Sequence, residues 1–147
     1  MDTVIKYYIP HREPFLFVDE VADITDTHIR AKKYISGDAD FFKGHYPGFP
    51  LMPGVLVCEA ILQTGAVLIA HITKENIKDD VPVVTRMNNI KFKKMVLPGD
   101  TIEMSVEIID NRSNVYYLKG AAKVDNKLAV SLDFACGLVK KGVMELK

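Results

Sequence analysis

The sequence predicts one α+β domain in which an antiparallel sheet curls around a single long apolar helix. Residues 55–72 have helical character and no polar face, and a helix that is apolar all round is normally buried all round. Several segments with strand-like alternation follow one another through short turns, which favours antiparallel pairing. Because the helix must be covered and strands are the available partners, a sheet packed on the helix is expected.

The residues before this helix predict a short helix and a hairpin. Residues 2–8 form a short helix or a poorly ordered lead-in that stops before Pro10. Residues 15–24 and 28–35 have strand composition, and the turn-forming residues 25–27 separate them.

The residues after the helix predict the larger part of the sheet. Residues 74–80 are polar and make an exposed connection, and LPGD at 97–100 is a turn. Apolar and polar residues alternate most clearly in the second half of the chain. The predicted strands are 81–85, 90–93, 101–109, 115–124 and 127–139, with polar residues 86–89 between the first two and a tight hairpin at 125–126.

The composition of the chain limits the classes of function that it can have. The 147 residues fit a single domain spanning 1–147, and the formal net charge of zero gives no global attraction to nucleic acid or to an anionic membrane. Two cysteines, Cys58 and Cys136, cannot define a disulfide framework, and no secretory signal precedes the first strand. We therefore expect a cytoplasmic protein with reduced cysteines. The longest uninterrupted apolar run is far shorter than the roughly 20 residues that a membrane span needs.

A loop rich in glycine and proline leads into the helix and carries one histidine. Residues 44–54 are GHYPGFPLMPG, a composition that excludes both a helix and a ladder strand. Pro53 suits the first helical position. His45 is a candidate general base, although a histidine can also simply fix such a loop by hydrogen bonds. Gly54, at the helix start, offers an unpaired N–H to a developing oxyanion.

Glu59 lies further along the same helix and is a candidate general acid. A buried carboxylate without a cation is disfavoured, so we expect Glu59 to be buried and protonated near neutral pH. Two alternatives are a carboxylate that caps a backbone N–H and one that pairs with Arg86. Gln63, one turn beyond, either supports Glu59 or only packs.

These three groups suit the elimination of water from a 3-hydroxyacyl thioester. The reaction needs a base at C2, an acid at the 3-hydroxyl and a hydrogen-bond donor to the thioester carbonyl, which His45, Glu59 and Gly54 would supply. The thioester carbonyl is itself the electron sink, so neither a metal nor another cofactor is expected.

Three stretches resemble the (3R)-hydroxyacyl-acyl-carrier-protein dehydratases of bacterial fatty acid synthesis, which adopt the hotdog fold. The stretches are PHREPFLFVDEV at 10–21, GHYPGFPLMPGVLVCEAILQTGA at 44–66 and KFKKMVLPGDTIEMSVEI at 91–108. The resemblance implies His45 as the catalytic histidine, Glu59 as the acid and the Gly54 amide as the carbonyl donor. The bifunctional dehydratase/isomerase branch carries aspartate at the acid position, so Glu59 implies the dehydratase-only branch.

The resemblance also implies partners. Two protomers would pair edge to edge into a homodimer, or three such dimers into a larger assembly, so that His45 of one subunit meets Glu59 of the other. The substrate would arrive on the phosphopantetheine arm of acyl carrier protein. A basic cluster is either a solvated face or the docking patch for this acidic carrier. It comprises Arg86, Lys91, Lys93 and Lys94.

Two further features of the sequence concern a turn and the acyl tunnel. His11, in PHREPF, is expected to stabilise a turn. Residues 84–89 depart from the family pattern where the chain would line the acyl tunnel, so they bear on acyl chain length.

Two other functions are compatible with the pattern. One is a hotdog thioesterase, which would use a carboxylate to activate water and has no need of the histidine loop. The other is an acyl-thioester-binding accessory protein without turnover, against which the presence of both His45 and Glu59 argues.

Overall fold

A computed structural model describes residues 2–74, 80–140 and 142 of the chain. The predicted connection at 74–80 therefore lies largely outside the described residues. The elements are α1 (Asp2–Tyr8), β1 (Glu20–Ile24), β2 (His28–Tyr34), a 3-10 turn (Asp40–Lys43), α2 (Gly54–Thr73), β3 (Asp80–Phe92), β4 (Thr101–Arg112), β5 (Val115–Val124) and β6 (Lys127–Lys140).

The strands form one six-stranded antiparallel sheet in the order β1-β2-β4-β5-β6-β3. Helix α2 packs against β2 to β6, and α1 packs against α2. The predicted α+β arrangement, with the sheet around one apolar helix, is confirmed. Strands β1 and β3 are its two edges, and an edge strand has backbone groups free to pair.

The helix lies so close to the sheet that glycines are required at the contact. A Cβ atom added to Gly120 on β5 would lie 2.3 Å from Cγ2 of Ile61, and one added to Gly65 would lie 2.7 Å from Cζ of Phe134. Both distances are shorter than packed atoms allow, since protein interiors are close-packed. Helix and sheet therefore make one continuous core.

Helix α2 is long and apolar enough to cross a membrane, with a mean hydropathy of 1.9. The longest uninterrupted apolar run therefore underestimates the length over which this helix is apolar. Of its most apolar window, 67% is buried inside the protein, and that degree of burial is what a core helix has.

Two strand predictions differ from the structure. The strand predicted at 15–24 forms only at Glu20–Ile24, because Phe15 and Phe17 direct their backbone groups to the side chain of Gln63 and not to a neighbouring strand. The two strands predicted at 81–85 and 90–93 are one strand, β3, whose pairing with β6 shifts between Val84 and Arg86 and again between Asn88 and Lys91. Bulges accommodate extra residues in this way.

The start of α2 also differs slightly from the prediction. Pro53 is the N-cap and not the first helical residue. The first turn is only partly buried, since Val55 is 70% exposed whereas Val57 is 1% exposed.

We predict that Gly120→Ala destabilises the fold by about 1 to 3 kcal/mol, because the new methyl group would overlap Ile61, which is itself fully buried. The matched control is Gly137→Ala on β6, where the added Cβ would lie 3.6 Å from Cγ2 of Thr85, an ordinary contact. Chemical denaturation of both variants at one protein concentration measures the difference. Equal stability of the two variants would contradict the close approach at Gly120.

Candidate active site

His45 is held with a defined ring orientation. Its Nδ1 atom lies 2.8 Å from the carbonyl oxygen of Leu51. A carbonyl oxygen only accepts, so Nδ1 must carry the hydrogen, and Nε2 of the neutral ring keeps its lone pair. The backbone N–H of His45 also donates to Phe41 O at 3.1 Å. The loop therefore presents Nε2 as a proton acceptor.

His45 opens onto a cavity of about 550 Å³. Helix α2 contributes Gly54, Val55 and Val57 to its wall, and the segment after β3 contributes the opposite side. Most of the lining is apolar, as expected for a site that accepts an aliphatic group. The remaining lining residues are Leu51, Met52, Pro53, Phe92, Lys93, Lys94, Met95, Val96 and Val130.

Gly54 lines the same cavity at the first residue of α2. The N-cap Pro53 makes no side-chain capping bond, and its carbonyl oxygen accepts from Leu56 N and Val57 N. The helix itself supplies no acceptor for the N–H groups of Gly54 and Val55. A Cβ on residue 54 would lie 2.6 Å from Cε1 of Phe92, so any larger residue there would have to displace that ring. A carbonyl oxygen entering the cavity can approach this N–H group, which lies at the positive end of the helix dipole.

Glu59 is held by Gln63, one turn further along α2. Gln63 is 1% exposed, and both ends of its amide are bonded. Its Oε1 accepts from Phe17 N at 2.8 Å, while Nε2 donates to Phe15 O at 2.9 Å and to Glu59 Oε2 at 3.0 Å. Because the Phe17 N–H group can only donate, the amide orientation is fixed and Nε2 must face Glu59. Of the two roles considered for Gln63, the geometry supports the first.

The structure corrects the expectation that Glu59 is fully buried. Its side chain is 23% exposed, because the first turns of α2 are not covered by the sheet on every side. Within hydrogen-bond or ion-pair distance, its side-chain partners in the described part of the chain are Gln63 and His11. Arg86 lies instead on β3 beside a separate cavity, so the alternative of a Glu59–Arg86 pair is wrong for this chain.

His45 and Glu59 do not line one cavity within this chain. Glu59 is absent from the residues around the His45 cavity, to which Gly54 belongs. Glu59 is five positions beyond Gly54 in the helix, which turns its side chain about 140° around the helix axis. The sequence placed the three groups close together along the chain, but the helix points them apart.

His11 is the residue at this site whose place the sequence did not reveal. It was expected to stabilise a turn, but its Nε2 lies 3.6 Å from Glu59 Oε2. The turn is held by Arg12, whose guanidinium donates to the carbonyls of Lys6, Ile9 and His11. The one available signal was that PHREPF belongs to the resemblance, but nothing in its spacing relates it to position 59.

Burial lowers the pKa of His11, because desolvation disfavours the imidazolium; Glu59 opposes this effect and Arg12 adds to it. His11 Nδ1 is buried and has no hydrogen-bond partner among the described residues.

The structure divides the predicted basic cluster. Lys93 and Lys94 line the His45 cavity. Their backbone N–H groups both donate to Ala129 O, at 2.7 and 3.3 Å. Lys91 is exposed in β3, and Arg86 lines another cavity with Asn88 and Asp133. Of these four basic residues, only the two lysines after β3 line the His45 cavity.

Neither cysteine has a reactive environment. Both are free and buried, and burial raises the pKa of Cys136 to about 12 and that of Cys58 above its usual range. The described residues contain no group of three or more histidine, cysteine or acidic side chains placed to hold a metal ion.

Comparison with known proteins gives concordant matches. The family model described as "FabA-like domain" matches residues 9–133. A 3-hydroxyacyl-acyl-carrier-protein dehydratase, FabZ, of Clostridium perfringens is 45% identical over 135 residues, 90% of this chain and 96% of that protein. The protein of the same name from Streptococcus pyogenes is 43% identical over the same shares of both chains.

Solved structures share the fold at low sequence identity. The dehydratase heterocomplex ApeI:P of Xenorhabdus doucetiae has a TM-score of 0.79 at 15% identity, covering 93% of this chain and 91% of that one. A hypothetical thioesterase with coenzyme A from Streptococcus pneumoniae has a TM-score of 0.65 at 11% identity, covering 82% and 85%. These two likenesses concern the architecture alone.

We predict that His11 makes the protein less stable to unfolding as the solution is acidified. The pKa of His11 is below its ordinary 6.5 in the folded state and ordinary in the unfolded state. The unfolded chain therefore takes up the proton first, so the free energy of unfolding is unaffected well above pH 6.5 and falls as the pH drops through 6.5 towards the folded pKa.

The measurement is chemical denaturation at pH 7.5 and 5.5 for the wild type and for His11→Gln, which cannot titrate, at one protein concentration. The wild type should lose more stability between the two pH values than the variant does. A loss of the same size in both proteins would refute the assignment to His11.

Proposed function

The chain belongs to the FabA-like domain family, and from that membership and the site geometry we propose that His45, Glu59 and the Gly54 amide carry out its reaction. The protein is a 3-hydroxyacyl-acyl-carrier-protein dehydratase, a hydro-lyase of fatty acid biosynthesis with the hotdog fold. Its identity of 45% to a FabZ protein across 90% of the chain carries this conclusion.

The reaction removes water across C2 and C3 of the acyl chain. His45 Nε2 takes the proton from C2, for which its lone pair is available because Nδ1 donates to Leu51 O. The N–H group of Gly54 donates to the thioester oxygen as negative charge develops there. Glu59 protonates the 3-hydroxyl as the C3–O bond breaks, so that water and a trans-2-enoyl thioester leave.

We propose that a complete site contains residues of two protomers. Within one chain His45 lines the cavity at the start of α2 and Glu59 does not, so each needs its counterpart from a second copy. The edge strand β3 carries exposed apolar side chains, and Met87, Ile90 and Phe92 are 37%, 39% and 56% exposed. Pairing two β3 edges would bury these side chains and continue the sheet. A homodimer, or a trimer of such dimers, is the proposed assembly.

We propose that acyl carrier protein docks beside Lys93 and Lys94. These two cations lie at the His45 cavity, where a phosphopantetheine arm would have to enter. Positive charge there attracts an acidic carrier and mainly raises its association rate. Lys91 and Arg86 extend the positive charge along β3, further from the cavity. A cytoplasmic location fits both the carrier and the two free cysteines.

The thioesterase and accessory-protein alternatives remain distinguishable from the proposal by product. The thioesterase neighbour shares 11% identity, which concerns the fold only. A thioesterase would release free thiol, whereas an accessory protein would bind the thioester without turning it over.

The first test is the hydration of crotonyl and decenoyl thioesters followed by enoyl absorbance, with free thiol measured in parallel. We predict that His45→Ala and Glu59→Gln each lose about 100-fold or more in kcat, because each removes one proton-transfer group. Release of thiol, or binding without loss of the enoyl absorbance, would refute the dehydratase mechanism.

Mixing the same two variants tests the shared site. A mixed dimer of His45→Ala and Glu59→Gln contains one site with both defects and one intact site if each site uses two protomers. We therefore predict that co-expressed, doubly purified mixed dimers regain up to about half of the wild-type activity. Activity no higher than that of the separate variants would place both groups in one protomer.

Charge reversal tests the docking surface. We predict that Lys93→Glu combined with Lys94→Glu raises KM for the acyl-carrier substrate about tenfold or more, with an effect that weakens at high salt. KM for the uncharged N-acetylcysteamine thioester should change less than about twofold, because that substrate has no charge to be steered. Lys123→Glu, on β5 opposite Glu103, is the matched control, and an equal effect there would refute a local docking patch.

A further inference from the structure

The environment of Glu59 is asymmetric in a way that bears on its role as an acid. Gln63 Nε2 lies 3.0 Å from Oε2, and His11 Nε2 lies 3.6 Å from the same oxygen. Oε1 has no hydrogen-bond partner among the described residues. Two neighbours from different parts of the chain therefore converge on one carboxyl oxygen and leave the other free for substrate.

The surroundings of His11 select one tautomer. If Nδ1 carried the hydrogen, a buried N–H group would lack an acceptor, since Nδ1 has no partner among the described residues, and an unmet buried donor is destabilising. If Nε2 carries it, the N–H group faces a carboxyl oxygen. The charged groups that act on His11 are Glu59 from α2 and Arg12 from its own turn.

We propose that His11 is a positioning residue for Glu59: its neutral ring, protonated at Nε2, donates to Oε2 together with Gln63, so that Oε1 holds the proton given to the 3-hydroxyl. This inference rests on the proposed function. The 3.6 Å separation must shorten by about 0.5 Å to become a hydrogen bond, and contacts at catalytic groups commonly tighten when substrate binds.

The neutral state of His11 is essential to this arrangement. An imidazolium at this distance would hold Glu59 as a carboxylate, because an opposite charge favours the ionised form. Glu59 would then have no proton to give. Burial keeps His11 neutral near pH 7 by lowering its pKa, while Arg12 anchors the turn through three backbone carbonyls and so fixes where the ring lies.

The proposal accounts for the proton in each turnover. The proton leaves Glu59 Oε1 with the departing hydroxyl as water, and the C2 proton moves to His45 Nε2. Returning one proton from His45 to Glu59 restores the starting state without any oxidant or metal. His11 keeps its own Nε2 proton throughout, which separates a positioning role from a catalytic one.

The decisive comparison is between His11→Leu, which removes the donor, and His11→Gln, whose amide can replace the Nε2–H group without titrating. For His11→Leu we expect kcat about 10-fold lower with KM changed less than about twofold. We also expect the alkaline limb of the kcat profile to move, because the hydrogen-bond donor at Glu59 Oε2 is gone. His11→Gln should restore both kcat and the limb to near the wild-type values.

A second measurement is independent of activity. Nitrogen NMR of the imidazole in the wild type at pH 7.5 should show Nε2 protonated and Nδ1 unprotonated for His11. His28→Leu, on β2 opposite Glu107, is the matched activity control and should behave as the wild type.

The outcomes separate this inference from the function on which it rests. A wild type without dehydratase activity would overturn the proposed function. An active wild type would overturn the role of His11 alone if His11→Leu kept kcat and its pH limb, if His11→Gln were as impaired as His11→Leu, or if Nδ1 carried the proton.

Discussion

Burial of α2 in the concave face of the sheet is the constraint on which the rest of this protein depends. The helix has almost no polar surface of its own, so it is stable only where the sheet covers it. The approach is close enough that Gly120 and Gly65 leave no room for a side chain. A helix fixed this tightly gives its N-terminal turns defined positions, which the chemistry of the site requires, since loosely held groups lose much of their catalytic effect.

The same burial explains why Gln63 carries so much of the local structure. A fully buried amide must satisfy both of its ends, and here it does so with the backbone of the segment before β1 and with Glu59. That requirement directs the backbone of Phe15 and Phe17 to Gln63 and not to a neighbouring strand, and it draws the N-terminal segment onto the helix. The hydrogen bonds of Gln63 therefore shorten β1 and orient Glu59. They also bring the turn that contains His11 beside Glu59.

The sequence predicted the parts of the fold that depend on periodicity. The long helix, the antiparallel order and strands such as Val115–Val124 follow from apolar spacing and turn residues. It mispredicted the parts that depend on distant partners. Nothing local shows that residues 86–89 continue a strand, because β6 and two bulges decide it. His45, Gly54 and Glu59 could be named from residue type and spacing, whereas His11, 48 positions before Glu59, could be placed only by the folded chain.

The division of the site follows from helix geometry. Gly54 must be at the helix start, because only there does a backbone N–H group lack an intrahelical acceptor. An acid five positions further along the helix is directed by the helical rotation away from the cavity that Gly54 lines. In a single copy, the candidate oxyanion donor Gly54 and the candidate base His45 line one cavity, and Glu59 does not line it. If two copies join at β3, each supplies the residue that the site of the other lacks. The same pairing covers an edge strand that could otherwise pair non-specifically with other chains. We infer that catalysis in this protein depends on assembly, because pairing through the exposed apolar side chains of β3 would both join two copies and complete each site.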